Sequence, residues 1–296
     1  MAEMFRTGYV GGAVPEAIDW MVEKSQGAQN ICVPFAGIGR SIVAMARPDT
    51  TIESWDTMHY ARCIFGGVFN AGEVETNVDS IHYRKGLAFE NRPYKYLDER
   101  CAGFIDWVAE EGTLFDKACL GSAITRSTLM GRMMHWHSNV EQLYNRFQRQ
   151  AEYNKDWLNQ PGTLVHHEGD FFSGYEEVHT IAQATDSWAY DLVEIDPPKV
   201  VNYSDVYSLH FQRFNDCLTA GKGGKLPKWG RRNAMGYYRR AMQVKAPRVI
   251  FMYTSKVIPR VEDVERMLEQ GDAKILEKQE FVHSGKTDYG FYLERG

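Results

Sequence analysis

An aspartate followed by two prolines, at the end of an apolar run, is the feature of this sequence that points most directly to chemistry. Asp191-Leu192-Val193-Glu194-Ile195 leads into Asp196-Pro197-Pro198-Lys199. Two prolines remove two N–H donors and hold a rigid turn, which leaves the preceding carbonyls free for a ligand. A carboxylate there can accept hydrogen bonds from an amine and stabilise the positive charge that develops as the amine attacks an electrophile. The second feature is Pro34-Phe35-Ala36-Gly37-Ile38-Gly39, at the end of the apolar run that begins at Asn30. Glycine lets backbone approach a ligand without a Cβ clash. Asp56 lies 17 residues beyond Gly39 at the end of the next β-branched run, where its carboxylate can accept from ribose hydroxyls. Ile42 stands where a dinucleotide fingerprint has its third glycine. A pyrophosphate cofactor is therefore disfavoured, and an adenosyl cofactor without phosphates fits better.

A third feature is charge segregation. The chain carries −5 overall, yet residues 217–261 hold eleven Lys and Arg and no Asp or Glu. Lys222, Lys225, Lys228, Arg231, Arg232, Arg239 and Arg240 interleave there with Trp229, Tyr237, Tyr238 and the glycines 221, 223 and 224. Cations displace counterions from a nucleic-acid backbone and rings stack on exposed bases, so the segment reads as a nucleic-acid contact. A solvated basic face on an ordinary loop and helix is the plainer alternative. His135-Trp136-His137 and the His166-His167 pair lack a carboxylate cluster, so no metal is expected. Cys32, inside an apolar run, reads as core rather than nucleophile.

These residues need elements to hold them. Residues 13–24 place Ile18, Met21 and Val22 on one helical face, with Pro15 in the first turn. Asn30–Pro34 reads as a buried strand, Arg40–Ala46 as a helix ended by Pro48, and Thr51–Trp55 as a strand closed by Asp56. Strand, glycine turn, helix, strand, acid is half of a doubly wound α/β nucleotide-binding unit. Ser138–Leu158 reads as one long helix with Val140, Leu143, Tyr144 and Phe147 on its apolar face. Further strands are expected at Thr163–His166, Asp191–Ile195 and Arg248–Tyr253, with Phe281 and Phe291-Tyr292 in a closing hairpin. The simplest architecture is an α/β core of residues 1–75 and 160–296, with helices on both faces and an inserted, mainly helical region over 76–159. The length of 296 residues and the 44% hydrophobic and 25% charged composition suit a folded globular chain. Five cysteines without a CxxC pair argue against a disulfide framework. Absence of a long apolar run predicts a soluble, cytoplasmic protein.

Tyr9-Val10-Gly11-Gly12, Pro34-Phe35-Ala36-Gly37-Ile38-Gly39, Asp56, Gly169-Asp170-Phe171 and Asp196-Pro197-Pro198 occur in one order. In that order the sequence resembles the adenine-specific DNA methyltransferases of the bacterial and phage DNA adenine methylase type. The resemblance spans about 65 residues at the start and about 60 around 163–220, with the insertion where the family places its DNA target-recognition region. It implies a Rossmann-like methyltransferase sheet, S-adenosylmethionine as cofactor, and duplex DNA with the target base flipped out as partner. Carried over by position, Tyr9, Gly11, Pro34, Phe35, Ala36, Gly37 and Gly39 line the methionine and ribose side. Asp56 holds the ribose, Asp170 and Phe171 the adenine ring of the cofactor. Asp196 and the Pro197 carbonyl meet the target amine, with Pro198 and Lys199 completing the catalytic turn.

The sequence departs from that pattern in three places. Val33 stands where the family has an acid before the Pro-Phe pair, Ala13 where it has Lys, and Lys199 where it has an aromatic residue to stack on the base. A protonated lysine about 4 Å from an amine gaining charge costs on the order of 4 kcal/mol at an effective dielectric of 20. Lys199 therefore points away, is neutral, or meets an anion such as a phosphate. The departures keep open a methyltransferase-fold protein that acts as a DNA-binding or partner subunit, or one that modifies a base by different chemistry. A homo- or hetero-oligomer is compatible with either reading.

Overall fold

The computed structural model describes residues 14–82, 99–125, 139–171, 189–197, 212, 214–226, 234–255, 259–283 and 285–296. Its strands are β1 (Asn30–Val33), β2 (Thr51–Asp56), β3 (Thr163–Glu168), β4 (Leu192–Ile195), β5 (Arg248–Thr254), β6 (Ala273–His283) and β7 (Lys286–Arg295). They form one sheet in the order β3-β2-β1-β4-β5-β7-β6. β1 to β5 run parallel, and β7 lies antiparallel between β5 and β6. The central strands β1, β4 and β5 are buried on both faces, which is why they read as mainly apolar runs, broken in β4 by Glu194, rather than alternating ones. Each expected strand is present within a few residues of its expected bounds, and the closing hairpin is β6–β7.

Helices cover both faces. They are α1 (Pro15–Lys24), α2 (Arg40–Met45), α3 (His59–Ile64), which runs on into a π-helical turn Phe65–Phe69, α4 (Glu99–Glu111), α5 (Leu114–Thr125), α6 (Val140–Lys155), α7 (Ala234–Ala241) and α8 (Val261–Glu269). Strand alternation splits the core in two. Ile31, Val33, Ile52, Leu192 and Ile250 pack with residues of α1 to α6, whereas Cys32, Trp55, Val193, Ile195 and Phe251 pack with α7 and α8. The fold is thus an α/β Rossmann-like sheet with helices on both faces, as the sequence predicts.

The connection from β2 to β3 carries α3 to α6, and residues 83–98 and 126–138 of the region expected over 76–159 lie outside the described residues. Phe104, Ile105 and Val108 of α4, Phe115 and Leu120 of α5, and Leu143 and Phe147 of α6 join the same cluster as Ile31 and Ile42. Glycine permits the closest approaches. A Cβ on Gly67 would stand 2.4 Å from the backbone of Leu114 and Phe115, and one on Gly121 2.4 Å from the Tyr60 ring. The Tyr60 hydroxyl also meets the Ser122 hydroxyl at 2.6 Å. The long helix expected from 138 to 158 is α6, whose first turn is capped by Asn139 accepting from the Gln142 N–H at 3.0 Å. Among the described residues, no helix is long and apolar enough to cross a membrane.

Candidate functional site

Strand order reverses between β1 and β4: the chain winds from β1 through β2 to β3 on one side and from β4 to β5 on the other. In an open parallel sheet this switch point leaves a crevice outside the C-terminal strand ends, where ligands bind. The two motifs singled out by the sequence flank it. Pro34–Gly39 leaves the end of β1, and Asp196-Pro197 leaves the end of β4.

The glycine turn needs its glycines. Gly37 and Gly39 have φ of 53° and 76°, the left-handed region that L side chains rarely adopt. Gly39 also caps α2, and a Cβ there would stand 2.8 Å from the Phe69 ring. A Cβ on Gly37 would meet no described residue within 4 Å. Pro34 and Ala36 are buried, Phe35 half-buried and Gly37 exposed.

Asp56 ties the neighbouring strand ends together. Its Oδ2 accepts from the Gly37 N–H at 2.9 Å and its Oδ1 from the Met58 N–H at 2.8 Å. Its backbone carbonyl accepts from the Gly169 N–H at 2.9 Å, and Ala36 N–H donates to the Trp55 carbonyl at 2.8 Å. Each carboxylate oxygen has further acceptor capacity, so the clamp leaves room for a ligand hydroxyl. Asp170 follows half-buried at the end of β3. Phe171 is buried, edge-on to Trp55 at 5.2 Å and 6.5 Å from Phe35 between centroids. It joins the ends of β1, β2 and β3 from below, as a core side chain.

Burial pushes the Asp56 carboxyl from 3.8 up to about 6, against the pull of the Met58 and Gly37 N–H groups. Glu168, at the end of β3, goes the other way. It accepts from His59 Nδ1 and from Arg62, both at 3.0 Å, and the His59 bond foremost draws it from 4.5 down to about 2. The signs separate the two groups. Folded Asp56 holds its proton more tightly than the unfolded chain, so its contribution is most favourable below 3.8 and declines as pH rises towards about 6. The stability from Glu168 is complete above 4.5 and lost as pH falls towards about 2. Asp56→Asn is therefore expected to remove the decline in melting temperature between those two Asp56 values and to keep the loss at more acid pH. An unchanged profile in a melting series across that range would contradict the placement of Asp56.

Asp196 is half-buried and Pro197 buried, and Asp196 acts electrostatically on Glu194 and Tyr238. The structure thus brings together Pro34, Phe35, Ala36, Gly37, Gly39, Asp56, Asp170, Phe171, Asp196 and Pro197 along one edge of the sheet. Tyr9, Gly11, Pro198 and Lys199 lie outside the described residues. Of the basic residues, Lys228, Arg231 and Arg232 also lie outside them. Lys222 is exposed but pairs with Glu110 of α4 at 3.2 Å. Lys225 is exposed, as are Arg239 and Arg240 on the side of α7 opposite its buried Ala234, Tyr238 and Ala241. Arg248 belongs elsewhere: it donates to the Asp191 and Gln26 carbonyls at the start of the sheet's strands.

The histidine pair divides between the faces of β3. His166 Nδ1 lies 3.1 Å from the Ser54 hydroxyl, and the ring stacks on Phe65 at 4.5 Å. His167 Nε2 lies 2.8 Å from Glu53, and the ring stacks on Trp55 at 4.7 Å. Burial, with the neighbouring His167, pushes His166 from 6.5 down to about 4, so it is neutral at physiological pH. The cluster of His59, Arg62 and Glu168 was not evident from sequence, because Glu168 lies more than a hundred positions from the other two.

No protein-family model matches the chain, and no curated protein matches it. Several solved methyltransferase structures show a distant likeness. Magnesium protoporphyrin IX methyltransferase (ChlM) of Synechocystis PCC 6803, with bound SAM, aligns at 10% identity and a TM-score of 0.40, covering 99% of this chain and 90% of that one. The tRNA m1G37 methyltransferase of M. jannaschii aligns at 9% and 0.37, covering 97% and 51%. The N-methyltransferase NodS of Bradyrhizobium japonicum WM9 aligns at 9% and 0.35, covering 95% and 94%. At such scores the likenesses carry no argument, and the fold assignment rests on the sheet order and strand directions themselves.

Proposed function

We propose that this chain is an S-adenosylmethionine-dependent DNA methyltransferase that acts on the exocyclic amine of adenine. The observation that carries the reading is the convergence of the glycine turn of β1 and the Asp-Pro turn of β4 on the switch-point crevice. S-adenosylmethionine, when bound, supplies a sulfonium methyl group as electrophile. Pro34 to Gly39 would hold it with exposed backbone, and Asp56 would accept from the ribose hydroxyls. Asp170 would meet the adenine edge, with Phe171 fixing the loop that carries it. Asp196 would accept from the target amine and offset the charge that develops on its nitrogen. The sulfonium site and the amine site thus fall on opposite lips of one crevice.

DNA contact rests on the cation-rich stretch and the helices between β2 and β3. Lys222 is paired with Glu110, and Arg239 and Arg240, exposed on α7, probe a phosphate footprint on that helix. Replacing both by Glu is expected to weaken duplex binding and to lower the slope of log affinity against log salt by about 2, close to 0.9 per lost phosphate contact. Fluorescence anisotropy over a salt series checks this, and an unchanged slope would remove α7 from the DNA surface. Lys199 favours a second reading, in which the same fold binds DNA without turnover, because its charge opposes the developing charge on an amine.

A further inference from the structure

Glu194 is 1% exposed in the middle of the sheet. It sits one residue inside the end of β4, in register with Ile250 of β5. Carrying the β1–β4 register, Ile31 with Leu192 and Cys32 with Val193, one step further sets it beside Val33, the last residue before the glycine turn. Strand alternation turns it to the face of Leu192, on the side of α2. Neither carboxyl oxygen has a hydrogen bond of good geometry among the described residues. The Ser41 hydroxyl of α2 gives partial relief, while burial first and the Asp196 charge second hold the group well above the usual carboxylate range. Among the described residues, no cation acts on it. Val33 and Ile250 are apolar, and Cys32 of β1 is a buried thiol itself pushed up by desolvation. Arg40, the first residue of α2, interacts with Tyr60 and Tyr153. A buried carboxyl with so little hydrogen bonding is costly to ionise unless a cation arrives to meet it.

We propose that Glu194 is the counter-ion of the cofactor's α-ammonium group, reached from β4 beneath the glycine turn. The proposal rests on the reading of the crevice as an S-adenosylmethionine site. Glu194 then holds its proton in the empty protein and releases it to solvent when the ammonium group docks, so that charge in the crevice is balanced.

Calorimetry in buffers of differing ionisation enthalpy tests this, using S-adenosylhomocysteine and 5′-methylthioadenosine above the pH range in which Asp56 titrates. Both ligands carry adenine and ribose, but 5′-methylthioadenosine has no ammonium group. The wild-type protein is expected to release about one more proton with S-adenosylhomocysteine than with 5′-methylthioadenosine. Glu194→Gln, which keeps the shape of the protonated acid, is expected to abolish that difference and weaken S-adenosylhomocysteine binding about 10- to 100-fold. Its affinity for 5′-methylthioadenosine should not change. Binding of both ligands with equal proton release, or with S-adenosylhomocysteine affinity kept in Glu194→Gln, would overturn the role of Glu194 and leave the cofactor reading standing. Failure of folded wild-type protein to bind either ligand would overturn both. The proton count on the wild type does not depend on whether the variant folds.

Discussion

Asp196→Asn is expected to lower methyl transfer to DNA by about a hundred- to a thousandfold, while S-adenosylhomocysteine binding is not weakened. Asparagine keeps the size of the side chain but removes the negative charge and turns one acceptor into an N–H donor. A group that stabilises charge only as the amine reacts should affect the rate and not cofactor binding. The position of Asp196 supports the split. It lies on the Asp-Pro turn of β4, across the crevice from the glycine turn and Asp56, which the cofactor would contact. Single-turnover rates with labelled cofactor, alongside calorimetric affinities, measure the two quantities separately. Turnover close to wild type would remove Asp196 from the chemistry, and loss of cofactor affinity would place it on the wrong lip of the crevice.

The second large effect is structural. Gly67→Ala is expected to destabilise the fold by about 2 kcal/mol. Its Cβ would stand 2.4 Å from the Leu114 carbonyl carbon and the Phe115 nitrogen, which are backbone atoms and cannot swing aside as a side-chain tip can. Overpacking of this kind costs about 1–3 kcal/mol, and a contact with backbone belongs at the upper end. Replacing a helical glycine returns about 0.5–1 kcal/mol through the unfolded chain. Overpacking therefore wins. Gly236→Ala in α7 is the control, because a Cβ there meets no described residue within 4 Å, so only the gain of about 0.5–1 kcal/mol remains. Denaturant melts of the two variants should move in opposite directions. A silent Gly67→Ala would mean that α5 is not clamped against the π-helical turn, and that the helices between β2 and β3 stand apart from the sheet.

Where the pattern was local, the sequence was legible. Ile31-Cys32-Val33, Leu192–Ile195 and Val249–Tyr253 are strands buried on both faces, so apolar runs, interrupted at Glu194 alone, revealed them. α6 showed itself through Val140, Leu143 and Phe147 on one side of an otherwise polar stretch. α5 did not, because Ala118, Cys119, Leu120, Ala123 and Ile124 surround its axis and leave no polar face to set a period. The run Phe65-Gly66-Gly67-Val68-Phe69 carries two poor helix formers and gave no signal, whereas its glycines permit helix contact. The motif residues were legible by type and order, but what they touch was not. Asp56 appeared as a ribose ligand, and its clamp on the Gly37 and Met58 N–H groups depends on how the turn folds back. Glu194 was read as one more residue of a strand. Its significance lies in its burial with only the Ser41 hydroxyl for relief among the described residues, which only packing reveals.

The central claim is methyl transfer to the exocyclic amine of adenine, and nucleoside mass spectrometry tests it most directly. Purified protein would be incubated with isotopically labelled S-adenosylmethionine and DNA from a methylation-deficient host, and the digested nucleosides weighed. The account predicts a labelled methyl group on deoxyadenosine, located on the exocyclic nitrogen by fragmentation and absent with Asp196→Asn. Label on another base or on a ring atom, or no label from folded, cofactor-bound protein, would contradict it.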